Sequence, residues 1–312
     1  MRNFNKIAVI GAGTMGHGIA QVFASFGYTT VVLARKESSL KKAEEMVGAN
    51  LKVMLANDFI TNEQAENTVK FLSYSTDYST LKDADLIIEA VPEDKKAKAD
   101  CIATIEANCS DTAVIASTTS AMNVFKVAKM KHPERMVIAH FNNPPHIVPL
   151  VELIAGPDTP ADLMADMKEL LTGIGKQVAV LNKYVPGFIV NRLTAALLRE
   201  CSYLVDKGYC TAEDVDTAFK ANQGLKASFE GPLELLDYIG WDVASNVGRL
   251  LYPFLCARIT PSPMAKRMVK AGRLGIKSGK GLKDYSGKTR EELQAARTEK
   301  VIKILNTIRK FD

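Results

Sequence analysis

Ile7-Ala8-Val9-Ile10-Gly11-Ala12-Gly13-Thr14-Met15-Gly16, running on through Gln21-Val22-Phe23 to Phe26, decides the fold. Four apolar residues suit a strand buried on both faces, a G-x-G-x-x-G pattern follows at once, and a helical run comes next. That strand-turn-helix context is what makes the glycine pattern informative. Gly11 permits the tight turn, Gly13 has no side chain to strike a pyrophosphate, and Gly16 lets helix and sheet approach closely. The N–H groups at the helix start, with Thr14 and Met15 in the turn, then face the phosphates. The segment predicts a dinucleotide site.

Outward from it, short apolar runs alternate with longer amphipathic ones as far as about Lys183, the pattern of a parallel sheet covered by helices. The expected strands are Ile7–Ile10, Thr30–Leu33, Leu86–Ala90, Ala113–Ala116, Met136–His140 and Val178–Leu181. After Val185-Pro186-Gly187 these runs stop. Helical spacing takes over at Phe188–Lys207, Thr211–Lys220, Pro232–Ile239 and Val243–Phe254. A last helix begins near Thr289 and carries Val301, Ile304, Leu305 and Ile308 as one apolar stripe. The expected fold class is α/β: a Rossmann-type, mostly parallel sheet with helices on both faces, followed by an all-α C-terminal domain. Residues 1–184 are expected to bind NAD(P), and residues 185–312 to form a helical domain for substrate binding and dimerisation. A small helical domain leaves apolar surface that a second copy would cover, so a homodimer is expected.

The chain's 312 residues suffice for two cores, and 47% hydrophobic with 24% charged residues exclude a disordered or fibrous chain. Its five cysteines form no C-x-x-C pair and no zinc-like spacing with histidine, so they are read as buried reduced thiols and no metal site is expected. Glycines and His17 interrupt the apolar stretch Ile7–Ala24, and no span approaches transmembrane length; a cytoplasmic protein without membrane contact is expected. The net charge is +5, and residues 261–312 hold 14 Lys and Arg against 5 Asp and Glu. That excess is read as a solvated helix face, with attraction of an anionic ligand as the other reading. No aromatic-interleaved basic patch accompanies it, so nucleic acid is not expected as a partner.

The second strand ends Val32-Leu33-Ala34-Arg35-Lys36, where an NAD-selective site places an acid for the adenosine ribose. A guanidinium there holds a 2'-phosphate by charge-assisted bonds, so the cofactor is NAD(P) with a preference for NADP(H). Lys36, Ser38 and Ser39 are further candidate contacts. Of four histidines, only His140 ends an expected strand of the first domain. Glu152 follows twelve residues later in the strand-like Pro149–Ile154, a carboxylate among apolar neighbours that needs a partner. Pro144, Pro145 and Pro149 let the chain fold back between them. A glutamate on one imidazole nitrogen would fix the tautomer and leave the other nitrogen to move a hydroxyl proton.

Taken in order, Gly-Thr-Met-Gly-His-Gly-Ile-Ala at 13–20, Glu89-Ala-Val-Pro-Glu93, Ser117-Thr-Thr-Ser120, His140-Phe-Asn-Asn-Pro-Pro145, Pro186-Gly-Phe-Ile-Val-Asn-Arg192, Gly231-Pro-Leu-Glu-Leu235 and Gly275-Ile-Lys-Ser-Gly279 span nearly the whole chain. Together they resemble the 3-hydroxyacyl-CoA dehydrogenases and their relatives acting on free hydroxy acids, such as gulonate and carnitine dehydrogenases and lambda-crystallin. The resemblance implies His140 as general acid/base and Glu152 as its orienting partner. It implies Ser120 and Asn191 as hydrogen-bond partners of the substrate oxygen, supported by Asn143, and Glu93 and Lys98 as residues near the nicotinamide ribose. The implied activity is hydride transfer between a 3-hydroxyacyl-CoA and the cofactor. A free hydroxy acid or ring carboxylate is the alternative substrate, and a non-enzymatic, crystallin-like cofactor binder the alternative class. Three departures bear on the choice. Acyl-CoA members carry a lysine-rich segment after the second strand, whereas Val53–Thr61 here has no base and one acid. The loop Asn142–Leu150, in which His146 is a candidate substrate contact, is closer to the free-acid relatives. Arg35 is the third.

Overall fold

Neighbouring residues of the central strands face different cores, which is why those strands read as apolar runs. The computed structural model describes residues 2–127 and 129–308. The chain divides into two units, Met1–Ile189 and Val190–Asp312. The first contains β1 (Lys6–Ile10), α1 (Gly16–Ser25), β2 (Thr29–Leu33), α2 (Glu37–Ala56), α3 (Asn62–Phe71), β3 (Leu72–Ser75), β4 (Leu86–Glu89), α4 (Lys95–Asn108), β5 (Val114–Ser117), α5 (Val124–Val127), β6 (Met136–Phe141), β7 (Leu150–Ala155), α6 (Ala161–Gly173) and β8 (Gln177–Leu181). These strands form one sheet in the order β3-β2-β1-β4-β5-β6-β7-β8. Every neighbouring pair is parallel except β6 and β7.

On one face Ile7, Val9, Val32, Ile88, Val114 and Val137 pack with Ile19 and Phe23 of α1 and Leu163 and Met167 of α6. On the other, Ala8, Ile10, Leu33, Ile87 and Ile115 pack with Cys101 and Ile105 of α4. Burying one such aliphatic or aromatic side chain contributes ~1.5–3 kcal/mol, so the two faces together fix strand register. The strand order reverses at β1, with β2 on one side and β4 on the other. The loops after β1 and β4 therefore open a crevice at the carboxyl ends of the strands.

Two strands extend the six expected ones. Leu72-Ser-Tyr-Ser lacks an apolar run and forms the edge strand β3, where a polar pattern is tolerated. The strand-like segment containing Glu152 joins the sheet as β7, antiparallel to β6, because the prolines between them turn the chain back.

The second unit contains α7 (Val190–Asp206), α8 (Ala212–Ala221), α9 (Gln223–Lys226), α10 (Glu234–Ile239), α11 (Trp241–Leu251), α12 (Pro263–Lys270) and α13 (Arg290–Ile308), with no strand among its described residues. Thr211 and Asp214 cap α8 reciprocally, each side chain bonding the other's backbone N–H. Asp206, at the end of α7 with its side chain 5% exposed, accepts from the Met264 N–H and from Arg258 and Arg267. The stripe expected on α13 is displaced: Ile302 is the buried residue, and Ile304 is 56% exposed. One residue is 100° around a helix, so the covered side lies toward Ile302 and leaves Ile304 at its edge. The cysteines are free, as expected, but only Cys101 and Cys256 are buried. Among the described residues no helix is long and apolar enough to cross a membrane.

Candidate active site

The turn between β1 and α1 is built as its glycines require. Gly11 has φ +117°, and a Cβ on it would lie 2.5 Å from the Ala90 carbonyl oxygen. A Cβ on Gly16 would lie 1.7 Å from the carbonyl oxygen of Gly11 itself, so the close approach is of helix to turn rather than of helix to sheet. A Cβ on Gly13 would meet no protein atom within 4 Å. That open space beside a helix start with no side-chain cap is what a pyrophosphate needs. His17 steadies the turn from beneath: its Nδ1–H donates to the Gly13 carbonyl at 2.8 Å. Burial pushes the His17 pKa down, against the upward pull of that bond.

A crevice of about 620 Å³ opens over this turn. Gly11, Gly13, Thr14, Met15, Arg35, Lys36, Glu93, Lys98 and Ser120 all line it, with Ser39, Tyr78 and Pro92. Gly16 and Ser38 are not among the lining residues. Arg35 and Lys36 are exposed at the end of β2, and Tyr78 is partly buried beside them. Burial raises the Tyr78 hydroxyl pKa, nearby Cys101 adds to this, and the charge of Arg35 opposes it. The crevice therefore offers a dinucleotide a phosphate cradle and a cationic end at β2.

His140 and Glu152 sit directly opposite one another in the β6/β7 ladder. Facing residues of an antiparallel pair project to the same side, and here the His140 Nδ1 lies 2.8 Å from Glu152 Oε2. The carboxylate accepts, so Nδ1 carries the hydrogen and Nε2 is the nitrogen that the glutamate does not engage. Glu152 is 0% exposed and His140 5%. The second glutamate oxygen accepts the Ile189 backbone N–H at 2.6 Å. Phe188 packs its ring on the imidazole, centroids 5.3 Å apart. It does so from φ +51°, a left-handed conformation unfavourable for a side chain of this size, which the full burial of its ring offsets. The same segment sends the Tyr184 hydroxyl to the Ala121 carbonyl at 2.7 Å, next to Ser120.

Asn143 is exposed, in the turn between β6 and β7. His146, in the same turn, points inward: its ring lies 6.2 Å from that of His17, and Asn50 of α2 donates to its Nδ1 at 3.5 Å. Burial first, then the neighbouring His17 and Lys176, push its pKa down to about 3. There the ring is uncharged near neutral pH. Asn191 is the second residue of α7, in the second unit.

Sequence reading left Glu89, Ser117, Thr119, Tyr78, Phe188 and the Ile189 N–H without roles. Glu89 had a usable signal: an acid ending the apolar run Leu86-Ile87-Ile88 must find a partner, and Lys98 follows nine residues later. The main-chain donor at Ile189 has no signature in a sequence of side chains.

Residues 6–184 match the model of the 3-hydroxyacyl-CoA dehydrogenase NAD binding domain, and residues 187–285 that of the 3-hydroxyacyl-CoA dehydrogenase C-terminal domain. The chain is 36% identical to 5-formyl-3-hydroxy-2-methylpyridine 4-carboxylate 5-dehydrogenase of Mesorhizobium japonicum, over 96% of each chain. It is 35% identical to 3-hydroxybutyryl-CoA dehydrogenase of Clostridioides difficile, over 90% of this chain and 99% of that one. Among solved structures, one of the pyridine carboxylic acid dehydrogenase, described as an NAD+ dependent dismutase, superposes with a TM-score of 0.90 at 34% identity, covering 98% of this chain and 99% of the other. The (S)-3-hydroxybutyryl-CoA dehydrogenase of Ralstonia eutropha superposes at 0.75 with 30% identity, covering 91% of this chain and all of the other. The protein is thus an oxidoreductase with an NAD-binding domain at its N-terminal end. More particularly, it belongs to the 3-hydroxyacyl-CoA dehydrogenase family.

Proposed function

We propose that the protein moves a hydride between the hydroxyl-bearing carbon of a small carboxylate-derived substrate and a nicotinamide cofactor, with His140 as its acid/base. The observation that carries this reading is the buried His140–Glu152 pair with Nε2 left over for proton transfer. When bound, the cofactor supplies the carbon that accepts or returns the hydride. In oxidation His140 takes the hydroxyl proton at Nε2, and in reduction it gives the proton back to the carbonyl oxygen. Glu152 holds the ring's orientation and stabilises the imidazolium as it forms. Ser120 and Asn191 are assigned the hydrogen bonds to the reacting oxygen, where charge changes most. Glu93 and Lys98 are assigned to the nicotinamide-ribose end of the crevice, and Asn143 to support of the substrate.

For the cofactor, Arg35 and Lys36 favour NADP(H), since a guanidinium at the end of β2 rewards a 2'-phosphate. For the substrate, a 3-hydroxyacyl-CoA is the family expectation, but two observations favour a free or ring-borne carboxylate. The segment Val53–Thr61 offers no cation for CoA phosphates. The relative acting on a pyridine carboxylate also matches more of the chain, at a higher TM-score, than the acyl-CoA relative compared above. One panel tests both points: acetoacetyl-CoA, acetoacetate and 5-formyl-3-hydroxy-2-methylpyridine-4-carboxylate, each with NADH and NADPH in the reducing direction. The expected result is faster turnover of a free acid than of the thioester, and a kcat/KM at least ~10-fold higher with NADPH, a charge-assisted contact being worth ~1.5–3 kcal/mol. Preference for acetoacetyl-CoA restores the CoA substrate; preference for NADH removes the role given to Arg35.

The second unit is proposed to pair with a second copy of itself. Leu193, Leu198, Trp241, Leu250 and Phe254 are 56–75% exposed in the single chain, large apolar side chains that a second copy would cover. Light scattering on a sizing column is expected to give twice the mass of the 34.0 kDa chain; a monomer at micromolar concentration would remove this reading.

A further inference from the structure

β4 ends in a carboxylate for which the roles above leave no task. Glu89 is wholly buried, and an unpaired ion in such a place costs several kcal/mol. It is paired on every side. Lys98 Nζ donates to its two oxygens at 2.9 and 3.1 Å, the Val91 N–H donates at 2.9 Å, and the Ser117 hydroxyl at 2.5 Å. Lys98, equally buried, reaches on to Glu93 Oε2 at 3.3 Å. The other oxygen of Glu93 accepts the Thr119 hydroxyl at 2.5 Å and the backbone N–H groups of Ser120, Ala121 and Met122 at 3.1, 3.1 and 3.4 Å.

One acid would neutralise Lys98; two acids share it, and the outer one gathers the turn that carries Ser120. The network thus runs without a break from the interior of the sheet to the rim of the crevice. Each link is a charge-assisted bond, stiffer and stronger than a neutral one. Because Lys98 is gripped by both oxygens of Glu89, its ammonium has one position, and that position sets where Glu93 and the Ser120 turn can sit.

We propose that Glu89 is a positioning residue for the reaction, acting through Lys98 and Glu93 on the placement of Ser120. This rests on the assignment of Ser120 to the reacting oxygen and is independent of which substrate is used. Misplacing a reactive contact by about 1 Å costs as much as ~100-fold in rate, so loosening the turn is read in kcat. The experiment compares Glu89→Gln, Ser120→Ala and the double variant, using the panel substrate that the wild type turns over fastest. Glu89→Gln is expected to lower kcat ~10-fold or more with KM changed less than about threefold, and the double variant to be no slower than Ser120→Ala alone, the signature of residues acting as a unit. A Glu89→Gln enzyme with normal kcat and only a lower Tm makes the network structural, and losses that multiply in the double variant place the effect elsewhere; either overturns the proposal. Full turnover by Ser120→Ala instead removes the Ser120 assignment, and the proposal with it. If Glu89→Gln does not fold, Ser117→Ala deletes a single bond to the same carboxylate, with a smaller drop in kcat expected that again vanishes in the Ser120→Ala background; no drop overturns it.

Discussion

Replacing His140 by alanine is expected to lower turnover at least ~100-fold while the cofactor Kd stays within about twofold, because the imidazole is the proposed proton carrier and is not among the residues lining the nucleotide crevice. The substitution also removes the His140 hydrogen bond from the buried Glu152 carboxylate. Losing one hydrogen bond to a charged group costs ~1.5–3 kcal/mol, so part of an observed loss is unfolding. His140→Gln separates the two effects. Its side-chain amide can donate to Glu152 and fill the space under Phe188, yet it cannot take up a hydroxyl proton at neutral pH. Activity of His140→Gln should fall as far as that of alanine, with a Tm closer to wild type. Near-normal turnover by either variant would strike His140 from the chemistry.

The second large effect separates two glycines three residues apart. Gly16→Ala sets a methyl 1.7 Å from the Gly11 carbonyl oxygen, a main-chain atom that cannot swing away. Both the turn and the start of α1 must move, so this variant is expected to lose stability and cofactor binding together. Gly13→Ala adds the same methyl where nothing of the protein stands within 4 Å, and its Tm should match wild type. The methyl would occupy the space assigned to the pyrophosphate, so the cofactor Kd should rise ~100-fold or more, the scale of losing two phosphate hydrogen bonds. Thermal melts and fluorescence titration with NADH and NADPH check the pair. Unchanged affinity in Gly13→Ala would move the phosphates away from this turn.

How far the sequence could be read follows from how local each cause is. The turn at Gly11–Gly16 is local and was legible except for what Gly16 packs against, which is the turn and not the sheet, and the strands whose apolar runs face two cores were legible too. The His140–Glu152 contact was legible only with the family resemblance beside it: the three prolines allow a reversal and a lone carboxylate in an apolar strand needs a partner, but spacing alone does not pair the two. β3 was not, since Leu-Ser-Tyr-Ser becomes a strand only by lying along β2. Nor was the depth of His146, which the sequence leaves between a substrate contact and a solvated loop, and which only the packing of its turn over α1 and α2 decides. The α13 stripe was legible as a pattern but not in phase, because one residue of rotation changes which apolar side chain is covered. The Glu89–Lys98 pairing spans a loop and a helix turn, and its bond to Ser117 crosses from β4 to β5. Spacing alone does not tie these three together.

The clasp at Ile189 has a consequence for cutting and tinkering. Because a peptide N–H grips the glutamate, no exchange of side chain at position 189 can release it, and only proline, which lacks that hydrogen, would. The bond is therefore hidden from alanine scanning. A nucleotide-binding half excised at the motif boundary after residue 184 would keep its sheet and its glycine turn but leave behind both the ring over the imidazole and the donor on the acid. Whoever wants that half alone with its dyad intact must carry the chain through residue 189.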